Sequence, residues 1–165
     1  ISVSKDREIT FTDRGKDIGE SVVRRHRLAE RMLTELLGVE WHLAHAEAHR
    51  LEHAISPYVE MKLAESLGFP ETNPFGMPIP GYCSNLKIPP MKPLSEASGN
   101  EVAVVERVPE EDFGLLEYLS QVGIVPGTKL KVIDVAQFKG IVEIDVDGQK
   151  VVLGTGVADK LLIRA

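Results

Sequence analysis

Apolar positions along the chain keep changing their period, and each change marks a new kind of element. At the start, Val3, then Ile9 and Phe11, lie on either side of the charged run Lys5-Asp6-Arg7-Glu8, a strand, turn, strand pattern over residues 1–12. Such a hairpin is marginal by itself. From Thr12 the period becomes helical. Ile18, Val22, Ala29, Leu33 and Leu36 share one stripe, with Thr12 as N-cap and Gly38 as the stop, which predicts a long helix to about residue 37. His26 and Glu30 fall at the edge of that stripe, half buried. A second helix over 41–54 takes Ala44, Ala48, Leu51 and Ile55 as its apolar face. Ser56-Pro57 breaks it and starts a third, with Ser as N-cap and Pro at the first helical position, ending at Leu67-Gly68.

Between residues 70 and 99 the texture changes to Pro, Gly, Asn and Ser, and a stretch such as Pro89-Pro90-Met91-Lys92-Pro93 cannot be helix interior. Beyond it come short apolar runs at 102–105, 129–135, 141–146, 150–153 and 161–163, with a short helix near 109–119. Pro126-Gly127, Lys139-Gly140 and Asp147-Gly148 punctuate them. Short strands joined by tight turns predict a small SH3-like barrel. The fold class is therefore α+β, helices in tandem followed by strands, without an internal repeat or heptad run.

Composition narrows the function classes. At 165 residues, 43% hydrophobic and 27% charged, the chain fits one or two small domains that can bury a core. Its net charge of −6 argues against binding nucleic acid through an overall field, so any DNA contact must be local. The single cysteine, Cys83, excludes an internal disulfide framework and fits a reducing cytoplasm. It reads as an incidental thiol in a Pro/Gly-rich stretch, with metal ligation the alternative. No apolar run approaches the ~20 residues of a membrane span, so no membrane partner is expected. No signal peptide is visible, and a chain beginning at Ile1 is expected to lack residues that precede it.

The candidate chemistry lies in the histidines. His42, His45, His49 and His53, with Glu52 beside the last, share one face of a helix at roughly 100° per residue. His26 and Glu30, four apart, place an imidazole and a carboxylate one above the other on the preceding helix. Borderline and hard divalent ions take such mixed nitrogen and oxygen ligands. A lone helical histidine is ordinarily solvated, but stacked histidines without metal repel when protonated, and this helix has a separate apolar face for the core.

The segments Arg24-Arg25-His26-Arg27-Leu28-Ala29-Glu30-Arg31-Met32-Leu33, His45-Ala46-Glu47-Ala48-His49-Arg50-Leu51-Glu52-His53 and Pro74-Phe75-Gly76-Met77-Pro78-Ile79-Pro80-Gly81 closely resemble the diphtheria toxin repressor family of metal-dependent transcriptional regulators, in order and in spacing. The resemblance covers nearly the whole chain. It implies a winged helix-turn-helix domain of which residues 1–20 are the wing hairpin and the start of a linking helix. A helical metal-binding and dimerisation domain at 21–87, a Pro-rich linker at 88–100 and an SH3-like domain of the FeoA type at 101–165 follow. The recognition helix is expected to be missing from this sequence.

Carried over position by position, the resemblance makes His26, Glu30 and His45 ligands of an ancillary metal site and His49, Glu52 and His53 ligands of a regulatory site. The family usually has Cys or Glu where this chain has His49, and it recruits a further ligand from its N-terminal arm. Thiolate leans to Fe(II) and carboxylate to Mn(II), whereas imidazole also accepts Zn, Ni or Cu. The implied cofactor is Fe(II) or Mn(II), with Zn(II), Co(II) or Ni(II) as substitutes in vitro. In some members the SH3-like domain adds acidic or amide ligands to the ancillary site. Glu111 and Asp112 lie in that region, where an ordinary solvated helix start is the other reading. Arg27 matches a position near a bound anion, or is a surface arginine. His42 is an extra ligand on the stripe or a solvated histidine.

The function expected is a homodimeric repressor of metal-uptake genes, with metal as corepressor and operator DNA as partner. The apolar contact of the dimer is expected from the helix at 56–67. Two rivals stand beside it: a metal-binding or scaffold protein that reads no DNA, and a metallohydrolase. Against the enzyme, the chain carries no Ser/His/Asp set, no HExxH motif and no phosphate-binding glycine loop; Gly154-Thr155-Gly156 reads as a turn.

Overall fold

A computed structural model describes residues 2–3 and 9–165. A short antiparallel pair, β1 (Ser2–Val3) and β2 (Ile9–Thr10), opens the chain; the charged turn expected at 5–8 lies outside the described residues. Helix α1 (Asp13–Arg31) starts where the cap predicts, with the Thr12 hydroxyl accepting from the Gly15 amide at 3.1 Å. It ends in one π-helical turn at Met32–Leu36, and Gly38 leaves the helix at φ +68°. The apolar stripe is only partly used. Ala29 and Leu33 are buried, but Ile18 is exposed, because α1 packs on the rest of the chain over its C-terminal half, and Leu36, at the end of the π-helical turn, is exposed as well.

The histidine segment is less regular than its spacing predicts. Trp41–Leu43 is a 3-10 turn, α2 runs over Ala44–Leu51, and Glu52 and His53 lie in the turn that closes it. Ala44, Ala48 and Ile55 are buried as expected. Helix α3 (Pro57–Ser66) has Ser56 as its cap, accepting from the Val59 amide at 3.3 Å, and Pro57 in its first turn. It is tied to α1 by Glu60, which accepts hydrogen bonds from both Arg24 and Arg25 and is only 7% exposed. No described helix is long and apolar enough to cross a membrane.

A six-stranded antiparallel sheet forms the second half, in the order β3-β8-β4-β5-β6-β7. Its strands are β3 (Lys92–Pro93), β4 (Val102–Arg107), β5 (Lys129–Ala136), β6 (Ile141–Val146), β7 (Gln149–Gly154) and β8 (Leu162–Arg164). Helix α4 (Phe113–Gln121) separates β4 from β5, and α5 (Thr155–Ala158) precedes β8. Alternation predicts the inner face well: Val142, Ile144 and Val146 of β6 and Val151 and Leu153 of β7 are buried. Strand β3 is the surprise, since Lys92-Pro93 sits in the Pro-rich stretch expected to be linker, yet pairs with Ile163 and Leu162. A proline is tolerated there because β3 is an edge strand.

The helical part and the sheet share one core. Ala29, Leu33, Ala44, Ala48 and Phe75 belong to the same buried cluster as Val105, Leu116, Ile144 and Ile163. Phe75 is the joint: wholly buried, it packs on Trp41 with ring centroids 4.9 Å apart, and its carbonyl accepts from the Val108 amide at 3.1 Å.

Candidate metal centre

Ala29 of α1 and Ala44 and Ala48 of α2 are fully buried, small side chains that let the two helices approach closely. The polar groups beside them therefore meet. His26 Nε2, His45 Nδ1 and Glu30 Oε1 form a triangle with sides of 2.9, 2.9 and 3.0 Å. Glu30 has no solvent exposure and His26 is 7% exposed. Bonds of ~2.1 Å to a divalent ion place neighbouring ligands about 3 Å apart, so the triangle has the spacing such an ion requires. The donor set is two imidazoles and a carboxylate, which suits first-row divalent ions.

Glu110, from the loop between β4 and α4, joins this group. Its carboxylate lies with the Glu30 carboxylate and the His45 imidazole in a set whose ligand atoms are all within 4.8 Å of one another. Glu111 and Asp112, one and two positions further on, are read from the sequence as ligands or as an ordinary helix start. Asp112 is the N-cap of α4, accepting from the Leu115 amide at 3.1 Å, in line with the helix start, and Glu111 is an exposed residue at the rim of the cavity above the site.

The second group is more open. His49 Nδ1 is 3.5 Å and His53 Nε2 is 3.2 Å from the two oxygens of Glu52. Both imidazoles are largely exposed while the Glu52 carboxylate is not. The two groups are not separate constellations, because His26 faces both. Its Nδ1 lies 2.6 Å from Glu52 Oε2 while Nε2 faces Glu30 and His45. His26, His45 and His49 also converge as a possible ligand set. The family resemblance divides the ligands into two sets; the fold interleaves them.

Charge in the site follows from this packing. Burial pushes the His26 imidazole down, but hydrogen bonds and charge from Glu30 and then Glu52 outweigh it, so its pKa is raised. For Glu30 burial acts upward, yet hydrogen bonds from His26, His45 and Asn73 win and hold the carboxyl below its ordinary value. A cavity of about 610 Å³ lies over the site, lined by His26, His45, His49, Glu52 and Glu110 among others. Arg27 also lines it, with Nη1 donating to the Pro78 carbonyl. His42 is not brought to the ligands. It packs edge-on against Phe113 of α4, ring centroids 5.5 Å apart, a contact between the helical part and the sheet. Cys83 is half-buried and belongs to none of the possible ligand sets among the described residues.

Two residues in or beside the centre are missed by the sequence reading. Glu110 carries no periodic signal, since its place depends on how the sheet docks. Asn73 reads as one more polar residue of a turn-rich stretch, and only its position immediately before Pro74-Phe75-Gly76 could have drawn notice.

Residues 12–81 match the family described as iron dependent repressor, metal binding and dimerisation domain, and residues 92–165 match the FeoA domain. The iron-dependent repressor IdeR of Mycobacterium tuberculosis is 37% identical over 145 residues, 80% of this chain and 63% of its own length. The diphtheria toxin repressor of Corynebacterium glutamicum is 32% identical over 145 residues, 81% of this chain and 63% of its own. This chain thus spans less than two thirds of the curated relatives it matches. A solved manganese-dependent transcriptional repressor in complex with manganese superposes with a TM-score of 0.85 at 34% identity, covering 94% of this chain and 75% of that one.

Proposed function

Because this chain belongs to the diphtheria toxin repressor family of iron- and manganese-dependent transcriptional regulators, we propose that it is the metal-sensing part of a homodimeric repressor of metal-uptake genes, with Fe(II) or Mn(II) as corepressor. His26, Glu30, His45 and Glu110 hold the ancillary ion; His49, Glu52 and His53 are protein ligands of the regulatory one. The observation that carries this reading is the buried triangle of His26 Nε2, His45 Nδ1 and Glu30 Oε1. A bound divalent ion would supply a positive charge shared by ligands from α1, α2 and the loop after β4.

The regulatory logic is linkage. A ligand that binds one arrangement of the helices better shifts the population toward it, and DNA that favours the same arrangement is then held more tightly. The chain acts by binding and not by catalysis, in the cytoplasm. Operator DNA is read by a winged helix-turn-helix domain of the whole protein, for which β1 and β2 are the wing. The dimer is built through α3, which exposes Tyr58, Val59 and Met61.

Calorimetric titration of the chelator-treated chain with Mn(II) tests the sites. Glu30→Gln and His45→Ala should each remove about one equivalent of bound metal, and His49→Ala with His53→Ala another. Unchanged stoichiometry in all three would overturn the assignment. In the whole protein, operator binding should depend on Fe(II) or Mn(II) and be abolished by a chelator. Equal binding with and without metal would rule out the corepressor role even if both sites were real.

A further inference from the structure

Asn73 is 1% exposed and uses every hydrogen-bonding position of its amide. Its Nδ2 donates to Glu30 Oε2 at 2.7 Å and to Glu110 Oε2 at 2.8 Å. Its Oδ1 accepts from the backbone amides of Phe75 at 3.1 Å and Met77 at 2.7 Å. The orientation is dictated, since turning the amide over would aim its NH2 at two backbone N–H groups and its oxygen at two carboxylates. One side chain therefore joins α1, the loop carrying Phe75, and the loop of the sheet half that carries Glu110.

Without that amide, the carboxylates of Glu30 and Glu110 would face each other in a buried place, and like charges there repel. We propose that Asn73 is a positioning residue that keeps the sheet half docked on α1 and aims Glu110 at the Glu30–His45 pair before any ion arrives. The docking contact stands on the amide geometry alone. Its use, a preformed ancillary centre, rests on the metal-centre reading above. The amide gives the two acids a shared partner, as a bound cation would. The Val108 amide, hydrogen-bonded to the Phe75 carbonyl, reports directly on that docking.

Hydrogen exchange read by mass spectrometry, with the full 165-residue chain and chelator present, tests this. Asn73→Asp keeps an oxygen for the Phe75 and Met77 amides but replaces the donor with a third acid. Exchange in a fragment covering 106–113 should quicken about tenfold or more, the factor expected for losing a hydrogen bond to a charged group. Fragments covering 75–79 should stay protected, which shows that the loop still folds. The double variant Asn73→Asp, Glu110→Gln returns an amide to the contact from the other side and should recover much of the protection. A merely space-filling Asn73 would give no such recovery. Unchanged exchange at 106–113 in Asn73→Asp, or no recovery in the double variant, overturns the proposal.

A second arm adds Mn(II). If the metal-centre reading holds, Mn(II) restores protection at 106–113 in the single variant by bridging the acids. If the loosening and the amide rescue occur but Mn(II) neither binds the wild type nor restores the variant, the metal-centre reading fails while the positioning role of Asn73 stands.

Discussion

Gly76 shows how tightly single residues set this structure. A Cβ built on it would lie 1.9 Å from the Glu106 carbonyl oxygen, and its backbone is at φ +88°, where side-chain-bearing residues are strained. Gly76→Ala should therefore destabilise the protein by at least ~1–3 kcal/mol, lowering the melting temperature by about 2–4 °C per kcal/mol in a chain of this size. Differential scanning calorimetry reads this directly; an unchanged transition would mean that the loop and β4 can part without cost. At the same scale, the sequence reveals the His26–Glu30 pair, because helical spacing alone brings the two side chains near each other. Glu110 and Asn73 stay hidden, because their contacts span 37 and 43 residues and depend on docking that no local pattern encodes.

Among the elements, those fixed by local chemistry are the ones readable in advance. Thr12, Ser56-Pro57 and the alternation over 141–146 place α1, α3 and β6 nearly to the residue. The π-helical turn after Arg31 and the pairing of β3 with β8 are not readable, since one is a local insertion in a good helical pattern and the other a tertiary choice by an edge segment. The α1–α3 clamp yields a pH prediction. Burial acts to raise the Glu60 carboxyl, but hydrogen bonds from Arg24 and Arg25 outweigh it, so its pKa is lowered on folding. A depressed carboxyl contributes stability above its unfolded pKa of about 4.3 and loses it as pH falls through the folded value. Glu60→Gln should cost about 1–2 kcal/mol at pH 7, allowing for the partial exposure of both arginines. The difference from the wild type should shrink steadily below about pH 4 in denaturant titrations. A difference that stays constant into acid would dissociate the clamp from the ionisation of Glu60.

For the molecule as a whole, the helical part and the sheet share one core and should unfold as one cooperative unit. Calorimetry should show a single transition whose calorimetric enthalpy agrees with the van't Hoff enthalpy of a folded dimer going to two unfolded chains. Mn(II) should raise its midpoint by mass action, and the rise should be smaller in Glu30→Gln. Light scattering should give twice the chain mass at micromolar concentration. Tyr58→Glu with Met61→Glu should reduce it to one, since both side chains are exposed on α3 in the single chain and would be charged within the expected contact. A wild-type chain that is monomeric under those conditions would move the dimer contact elsewhere in the whole protein.

The core common to both halves also bears on what the covalent chain is for. Residues 81–91 form turns and irregular backbone, half-buried to exposed, the kind of segment a protease cuts first. Yet the halves are held by Phe75, Trp41 and the Val108 hydrogen bond, outside that segment. A single cut there should leave two fragments that migrate together on a native gel and separate only in denaturant, because the tether sets their effective concentration and not their contact.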